Sequence, residues 1–135
     1  MARVLVVDDV NVVTMAVRLL LERAGYTVDE AGNGEEAMSV VALRPPDVAI
    51  TDLWMPIMDG MVLIRALRKR FPAVAVIAMS GGSRQFSQDS SLDKAREAGA
   101  TQLLMKPIDK WDLLTAVAKA IPAQRHAELA PNAAL

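Results

Sequence analysis

The stretch RVLVVDD, from Arg3 to Asp9, is a short apolar run that ends at two aspartates. Three more apolar runs end at a single polar residue: 48–51 at Asp52, 74–79 at Ser80, and 101–105 at Lys106. Longer segments with helical spacing of apolar residues separate these runs, and this alternation indicates βαβ units and a parallel sheet. Since open α/β sheets bind ligands at the carboxyl ends of their strands, the five polar side chains are predicted to converge at one site.

The alternation predicts five strands and five helices. The predicted strands cover residues 4–7, 27–31, 48–51, 74–79 and 101–105. The first predicted helix runs from a cap at Asn11 to about Ala24, and the second covers residues 35–43. The third follows Asp59-Gly60, the fourth ends at about Ala98, and the fifth covers residues 110–121. The polar, glycine-opened segment 81–91 is predicted to be a mobile loop at the ligand edge.

Apolar spacing also predicts which residues face the core. In the first helix these are Val12, Ala16, Leu19 and Leu20, and in the last helix they include Trp111 and Leu114. Asp29 and Glu30 predict that the second strand lies at an edge of the sheet, because charged side chains protect exposed strand edges.

Composition is typical of one compact domain. The chain has 135 residues, a formal net charge of -1 and no cysteine. This net charge does not provide the excess Lys and Arg that binding to nucleic acid or to an anionic membrane needs. The absence of cysteine excludes disulfides and thiol catalysis. Residues 1–121 are expected to form the domain, and residues 122–135 are expected to form a disordered tail. The protein is expected to be cytoplasmic, because the first apolar run is too short for a signal peptide or a membrane span.

The predicted cluster of side chains suggests a reaction. The carboxylates of Asp8, Asp9 and Asp52 would repel each other unless a cation neutralised them, and hard divalent ions such as Mg2+ prefer oxygen ligands. The Ser80 hydroxyl and the Lys106 ammonium suit a phosphoryl group. The residues therefore indicate phosphoryl transfer onto a carboxylate.

The ordered set Asp8-Asp9, DLWMPIMDG at 52–60, Ser80 and Lys106-Pro107 resembles the receiver domain of two-component response regulators. The resemblance extends from about Arg3 to Ile121. It implies a flavodoxin-like (βα)5 fold, a doubly wound parallel sheet with strand order 2-1-3-4-5, in a stand-alone receiver. It also implies a cis peptide bond between Lys106 and Pro107.

The resemblance implies a role for each site residue. Asp52 would be the phosphoacceptor, and Asp9, Asp52 and the backbone carbonyl of Trp54 would hold Mg2+. Asp8 would assist through a metal-bound water. Ser80 would bond one phosphoryl oxygen, and Lys106 would pair with another.

Such a domain acts as a phosphorylation-dependent switch that catalyses only its own phosphorylation and dephosphorylation. Its expected partners are a sensor histidine kinase or a histidine phosphotransfer protein, and a downstream protein target. Two positions depart from the family pattern. Leu103 stands where receivers usually have Tyr or Phe, and the Trp54 indole could either shield the phosphoryl group or pack on Met55 or Met58.

Alternative functions remain open at this point. A phosphate-independent interaction module is favoured by Leu103, whereas a small Mg-dependent phosphatase is disfavoured because Trp54, two residues after Asp52, cannot act as a general acid. Residues 32–37 match the dinucleotide-binding pattern G-x-G-x-x-A. Glu35 and Glu36 at the start of the following helix would repel a pyrophosphate there.

Overall fold

A computed structural model describes residues 2–55, 57–81 and 88–121 of the chain. Within these residues, a five-stranded parallel sheet has the order β2-β1-β3-β4-β5. The strands are β1 Arg3–Val7, β2 Thr27–Ala31, β3 Val48–Asp52, β4 Ala75–Ser80 and β5 Gln102–Met105. The helices in the same residues are α1 Asn11–Arg23, α2 Gly34–Leu43, α3 Gly60–Arg70, α4 Gln88–Ala98 and α5 Lys110–Ala120.

The predicted fold class and strand order are confirmed, including the position of β2 at an edge. Register explains why the polar residues after the strands lie level with each other. Val7 pairs with Thr51, Asp52 pairs with Met79, and Ser80 pairs with Met105. Each strand therefore ends close to the same edge of the sheet.

The core lies in two layers, one on each face of the sheet. Successive side chains of a strand point to opposite faces, so β1 contributes Leu5 and Val7 to one layer and Val4 and Val6 to the other. Buried residues of α2, α3 and α4 complete the first layer, and those of α1 and α5 complete the second. Because both faces are covered, the central strands β3 and β4 are apolar up to their carboxyl ends, where polar residues begin.

The predicted core face of α1 is largely wrong, although Leu20 is partly buried against the core as predicted. Thr14, Val17 and Leu21 are the buried residues of the helix, whereas Val12 and Leu19 are 74% and 44% exposed. The two sets have the same helical spacing, since α1 carries apolar side chains on both faces. Spacing alone therefore could not identify the side that meets the sheet.

The predicted orientation of Trp111 is wrong for a related reason. Trp111 is 68% exposed, and Leu113, Ala116 and Val117 are the buried residues of α5. The Trp111 ring lies beside the ammonium of Lys110, whose nitrogen is 5.1 Å from the ring centroid. Helical spacing placed Trp111 with the core residues, but the buried face of α5 begins at Leu113, two residues further on.

The starts of the helices show how local sequence sets their bounds. Asn33, Asp59 and Asp109 cap α2, α3 and α5, each accepting a hydrogen bond from a backbone N–H of the first turn. The predicted cap at Asn11 is wrong, since Val10 holds the cap position and Asn11 is the first residue of α1.

The segment around α4 also differs from its prediction. The helix begins at Gln88, inside the stretch 81–91 that was predicted to be a loop. The rest of that prediction, at residues 82–87, and the predicted disorder of residues 122–135 lie outside the described residues. The peptide bond between Lys106 and Pro107 is cis, as predicted. In the described part of the chain, no helix is long and apolar enough to cross a membrane.

Ile57 has an unfavourable backbone conformation that suggests a stability test. Its φ is 72°, a left-handed value that β-branched residues rarely adopt, and its side chain is 74% exposed. Asn tolerates this conformation, so Ile57→Asn should raise the free energy of unfolding by about 1 kcal/mol without loss of buried apolar surface. Urea unfolding measures the change. Ile57→Val keeps the β-branch and should give no gain; an equal gain in both variants would contradict strain as the cause.

Candidate functional site

Five polar residues that were predicted to converge do meet at the carboxyl edge of the sheet. Asp8 and Asp9 follow β1, Asp52 and Ser80 end β3 and β4, and Lys106 follows β5. Carboxylate oxygens of Asp8, Asp9 and Asp52 lie within 4.8 Å of one another. Because β3 lies between β1 and β4, Asp52 stands at the middle of the group.

Most of this cluster is removed from water. Asp8 and Ser80 are fully buried and Asp52 is 5% exposed, while Asp9 is exposed. A buried carboxylate is costly unless it is paired or hydrogen-bonded. The site thus has two buried acids and opens to solvent on the side of Asp9.

Lys106 partly compensates the negative charge. Its Nζ lies 2.7 Å from Oδ2 of Asp8 and 3.3 Å from Oδ1 of Asp52. The other oxygen of Asp8 accepts a hydrogen bond of 2.9 Å from the backbone N–H of Val10. Counting only the described residues, one ammonium contacts two of the three carboxylates, so this part of the cluster retains excess negative charge.

Burial and nearby charges shift the protonation of Asp52. Burial raises the pKa of the Asp52 carboxyl above its usual value; the attraction of Lys106 opposes this rise, and the charges of Asp8 and Asp9 add to it. Burial alone would lower the pKa of Lys106, but the hydrogen bond with Asp8 and the attraction of Asp52 outweigh burial, and the pKa is raised. The lysine therefore remains charged at neutral pH, whereas the ionised form of Asp52 is destabilised by its surroundings.

The donor set suits a divalent cation. Carboxylate oxygens are the ligands that Mg2+ prefers, and a cation among these three would offset the repulsion that Lys106 leaves uncompensated. The exposed Asp9 gives such an ion a route from solvent. Asp8, Asp9 and Asp52 therefore fit the predicted metal site.

Backbone hydrogen bonds and close packing fix the chain immediately after Asp52. The N–H of Leu53 donates to the carbonyl of Met79 at 3.1 Å, and the N–H of Gly60 donates to the carbonyl of Leu53 at 3.0 Å. A Cβ at position 60 would overlap the carbonyl oxygen of Asp52 and would lie 2.7 Å from Cα of Leu53. Only glycine allows the start of α3 to come this near to the phosphoacceptor candidate.

The side chain of Trp54 packs against the hydrophobic layer that contains Met55 and Met61. This placement agrees with the packing alternative. The role of the Trp54 backbone carbonyl as a metal ligand stays a prediction.

Sequence reasoning missed two contributors to the site. Thr51 is buried in β3, and its hydroxyl donates to the carbonyl of Asp52 at 2.9 Å. Gly60 was predicted to start a helix, which it does, but its contact with Asp52 was not foreseen. The available signal was a hydroxyl residue inside the apolar run 48–51, directly before the candidate nucleophile.

The G-x-G-x-x-A segment at 32–37 is engaged within its own helix start. Oε2 of Glu36 accepts a hydrogen bond of 3.1 Å from the N–H of Gly32, and the Asn33 side chain accepts one of 2.9 Å from the N–H of Glu36. A side-chain carboxylate thus occupies the place where a pyrophosphate would have to bind. This geometry disfavours a nucleotide site there.

Residues 4–118 match the family model described as the response regulator receiver domain. Among curated proteins, the chain is 34% identical over 125 residues to the transcriptional regulatory protein PdtaR of Mycobacterium tuberculosis, covering 92% of this chain and 58% of that protein. It is 32% identical over 120 residues to the protein CcdB of Bacillus subtilis, covering 88% and 97%. The chain therefore spans a little over half the length of the first of these relatives.

Solved structures show the same architecture. The chemotaxis response regulator CheY4 of Vibrio cholerae superposes with a TM-score of 0.80 at 28% identity, covering 90% of this chain and 99% of that one. A response regulator receiver domain protein of Clostridium thermocellum superposes with a TM-score of 0.81 at 31% identity, covering 94% and 99%.

The electrostatics of the site predict a stability change in Asp52→Asn without metal. Because the folded-state pKa of Asp52 is raised, the stability linked to its neutral form is present at low pH and is lost as pH rises through that pKa. Asn does not titrate, so the variant should gain stability over the parent as pH goes from acid to neutral. Urea unfolding with EDTA present measures this difference, and added Mg2+ should stabilise the parent more than the variant.

Asp93→Asn is the matched control, since Asp93 is an exposed acid on α4. The difference in free energy of unfolding between this variant and the parent should change little with pH. If the difference for Asp52→Asn changes equally little with pH, the ionised carboxylate at position 52 is not destabilised by its surroundings.

Proposed function

Because this chain belongs to the response regulator receiver domain family and functions as a phosphorylation-dependent switch in two-component signalling, we propose that Asp52 is its phosphoacceptor. The observation that carries the proposal is the central position of the Asp52 carboxylate. It is nearly buried, it lies 3.3 Å from the Lys106 ammonium, and it shares a cluster within 4.8 Å with two other carboxylates.

Mg2+ fits the proposed site. Asp9, Asp52 and the backbone carbonyl of Trp54 would hold it, with Asp8 acting through a bound water. When bound, it would supply positive charge next to the transferred phosphoryl group. Asp8 and Asp52 are both in contact with Lys106, so the metal and the lysine would share the same acids.

In the proposed reaction, an oxygen of the Asp52 carboxylate forms a bond to phosphorus. The bond between phosphorus and the imidazole nitrogen of a phosphohistidine breaks, and its electron pair stays on that nitrogen. Carboxylate is a weak nucleophile, so the rate depends on positioning and on neutralising the phosphoryl oxygens. Lys106 would neutralise one oxygen, and the Ser80 hydroxyl would donate to another.

The phosphodonor would be a sensor histidine kinase or a histidine phosphotransfer protein, and the output would be binding to a downstream protein. A cytoplasmic location agrees with these partners and with the absence of cysteine from the sequence. Leu103 is partly buried against the layer formed with α2, α3 and α4, at the place where receivers usually carry an aromatic switch residue. Phosphorylation would therefore be transmitted without an aromatic ring at that position.

Covalent phosphorylation tests the assignment. With Mg2+ and acetyl phosphate, the parent should gain one phosphoryl group, detected by intact mass, and Asp52→Asn should gain none because an amide cannot attack phosphorus. Asp93→Asn should react like the parent. Label retained on Asp52→Asn would remove Asp52 from the role, and a parent that never reacts would favour the phosphate-independent module.

The roles of Lys106 and Ser80 can be separated by rate. Lys106→Met removes a charge-assisted interaction and should slow phosphorylation about 10- to 100-fold. Ser80→Ala removes a neutral hydrogen bond and should slow it about 2- to 10-fold. Stopped reactions analysed by mass measure both rates. Equal slowing in the two variants would contradict this division of roles.

A further inference from the structure

We propose, building on the proposed role of Asp52, that Thr51 is a positioning residue: its hydroxyl holds the main chain of Asp52 so that the carboxylate and the following metal ligand point into the site. Thr51 does not itself touch the phosphoryl group in this proposal. It acts through the peptide group that joins Asp52 to Leu53.

The hydroxyl of Thr51 makes a hydrogen bond with the main chain. Thr51 is fully buried, and Oγ1 donates to the carbonyl oxygen of Asp52 at 2.9 Å. A buried hydroxyl is costly unless it is hydrogen-bonded. The other residues of β3 before Asp52 are Val48, Ala49 and Ile50, so Thr51 is a polar residue at the end of an apolar stretch of the strand.

Neighbouring contacts confine the same peptide group. Gly60 leaves room for the Asp52 carbonyl that any larger residue would take, and its N–H holds the carbonyl of Leu53 at 3.0 Å. The N–H of Leu53 is held by Met79 at 3.1 Å.

Rotation of this peptide group would move two parts of the proposed site together. The Asp52 carbonyl is attached to the same Cα as the carboxylate side chain, and the chain continues through Leu53 to Trp54, whose carbonyl is the proposed backbone ligand. Since displacements of about 1 Å at a reacting centre cost large factors in rate, a donor that fixes the peptide affects both metal binding and attack. A purely structural threonine would affect stability alone.

The test compares Thr51→Val, which keeps the shape and removes the hydroxyl, with Thr51→Ser, which keeps the hydroxyl. Mg2+ affinity is read from Trp54 fluorescence in a Trp111→Phe background, because the chain has two tryptophans and Trp111 is exposed. Thr51→Val should weaken Mg2+ binding about three- to tenfold and slow phosphorylation by acetyl phosphate at saturating Mg2+ by a similar factor. Thr51→Ser should restore both towards the parent values, and Thr51→Ala should behave like Thr51→Val.

Thr14→Val is the matched control. Thr14 is also buried, and its hydroxyl donates to the carbonyl of Asn11 at 3.0 Å. This variant should lose stability in urea but keep the Mg2+ affinity and rate of the parent. If Thr51→Val loses stability like Thr14→Val and keeps both site properties, Thr51 is structural and the proposal fails. Failure of the parent to be phosphorylated at Asp52 would instead overturn the proposed function, and the Mg2+ titrations would still report on Thr51.

Discussion

Excess negative charge at one edge of the sheet is the constraint on which the rest of the structure depends. Among the described residues, two buried carboxylates and one exposed carboxylate are compensated by the ammonium of Lys106. Burial raises the pKa of Asp52, and the charges of Asp8 and Asp9 add to the rise that Lys106 opposes. Such a cluster costs folding free energy, and the two full core layers on either side of the sheet have to offset that cost. In the proposed function this cluster would bind a cation and a phosphoryl group, so the proposed function would come at the expense of stability.

The topology explains how so few residues assemble this site. The order β2-β1-β3-β4-β5 places the end of β3 between the acids that follow β1 and the serine that ends β4. Lys106 follows the outermost strand on that side, yet its Nζ reaches the acids after β1 and β3. A long side chain is needed for that reach, and the two acids it meets keep it charged.

The sequence was sufficient to predict that the five polar side chains converge, because four of the strands are apolar runs that end at or just before a polar residue. Strand order and convergence follow from the resemblance and from parallel pairing. Helix faces were harder to predict. Val12 and Leu19 are as apolar as Val17 and Leu21, and a choice between them depends on which side of α1 meets the sheet. Trp111 was misplaced for the same reason, because its helical spacing with Leu114 does not show which side of α5 meets the sheet.

Sequence patterns do not predict the direction of a backbone carbonyl, and Trp54 shows why. In the proposed site its contribution is a backbone carbonyl, which every residue type carries, so metal binding sets no requirement on the side chain. Packing sets that requirement instead, and the indole lies against the hydrophobic layer beside Met55 and Met61. The direction of the carbonyl then depends on neighbours that hold the backbone, namely Thr51 before it and Gly60 beyond it. A residue can thus belong to a metal site while its side chain belongs to the core.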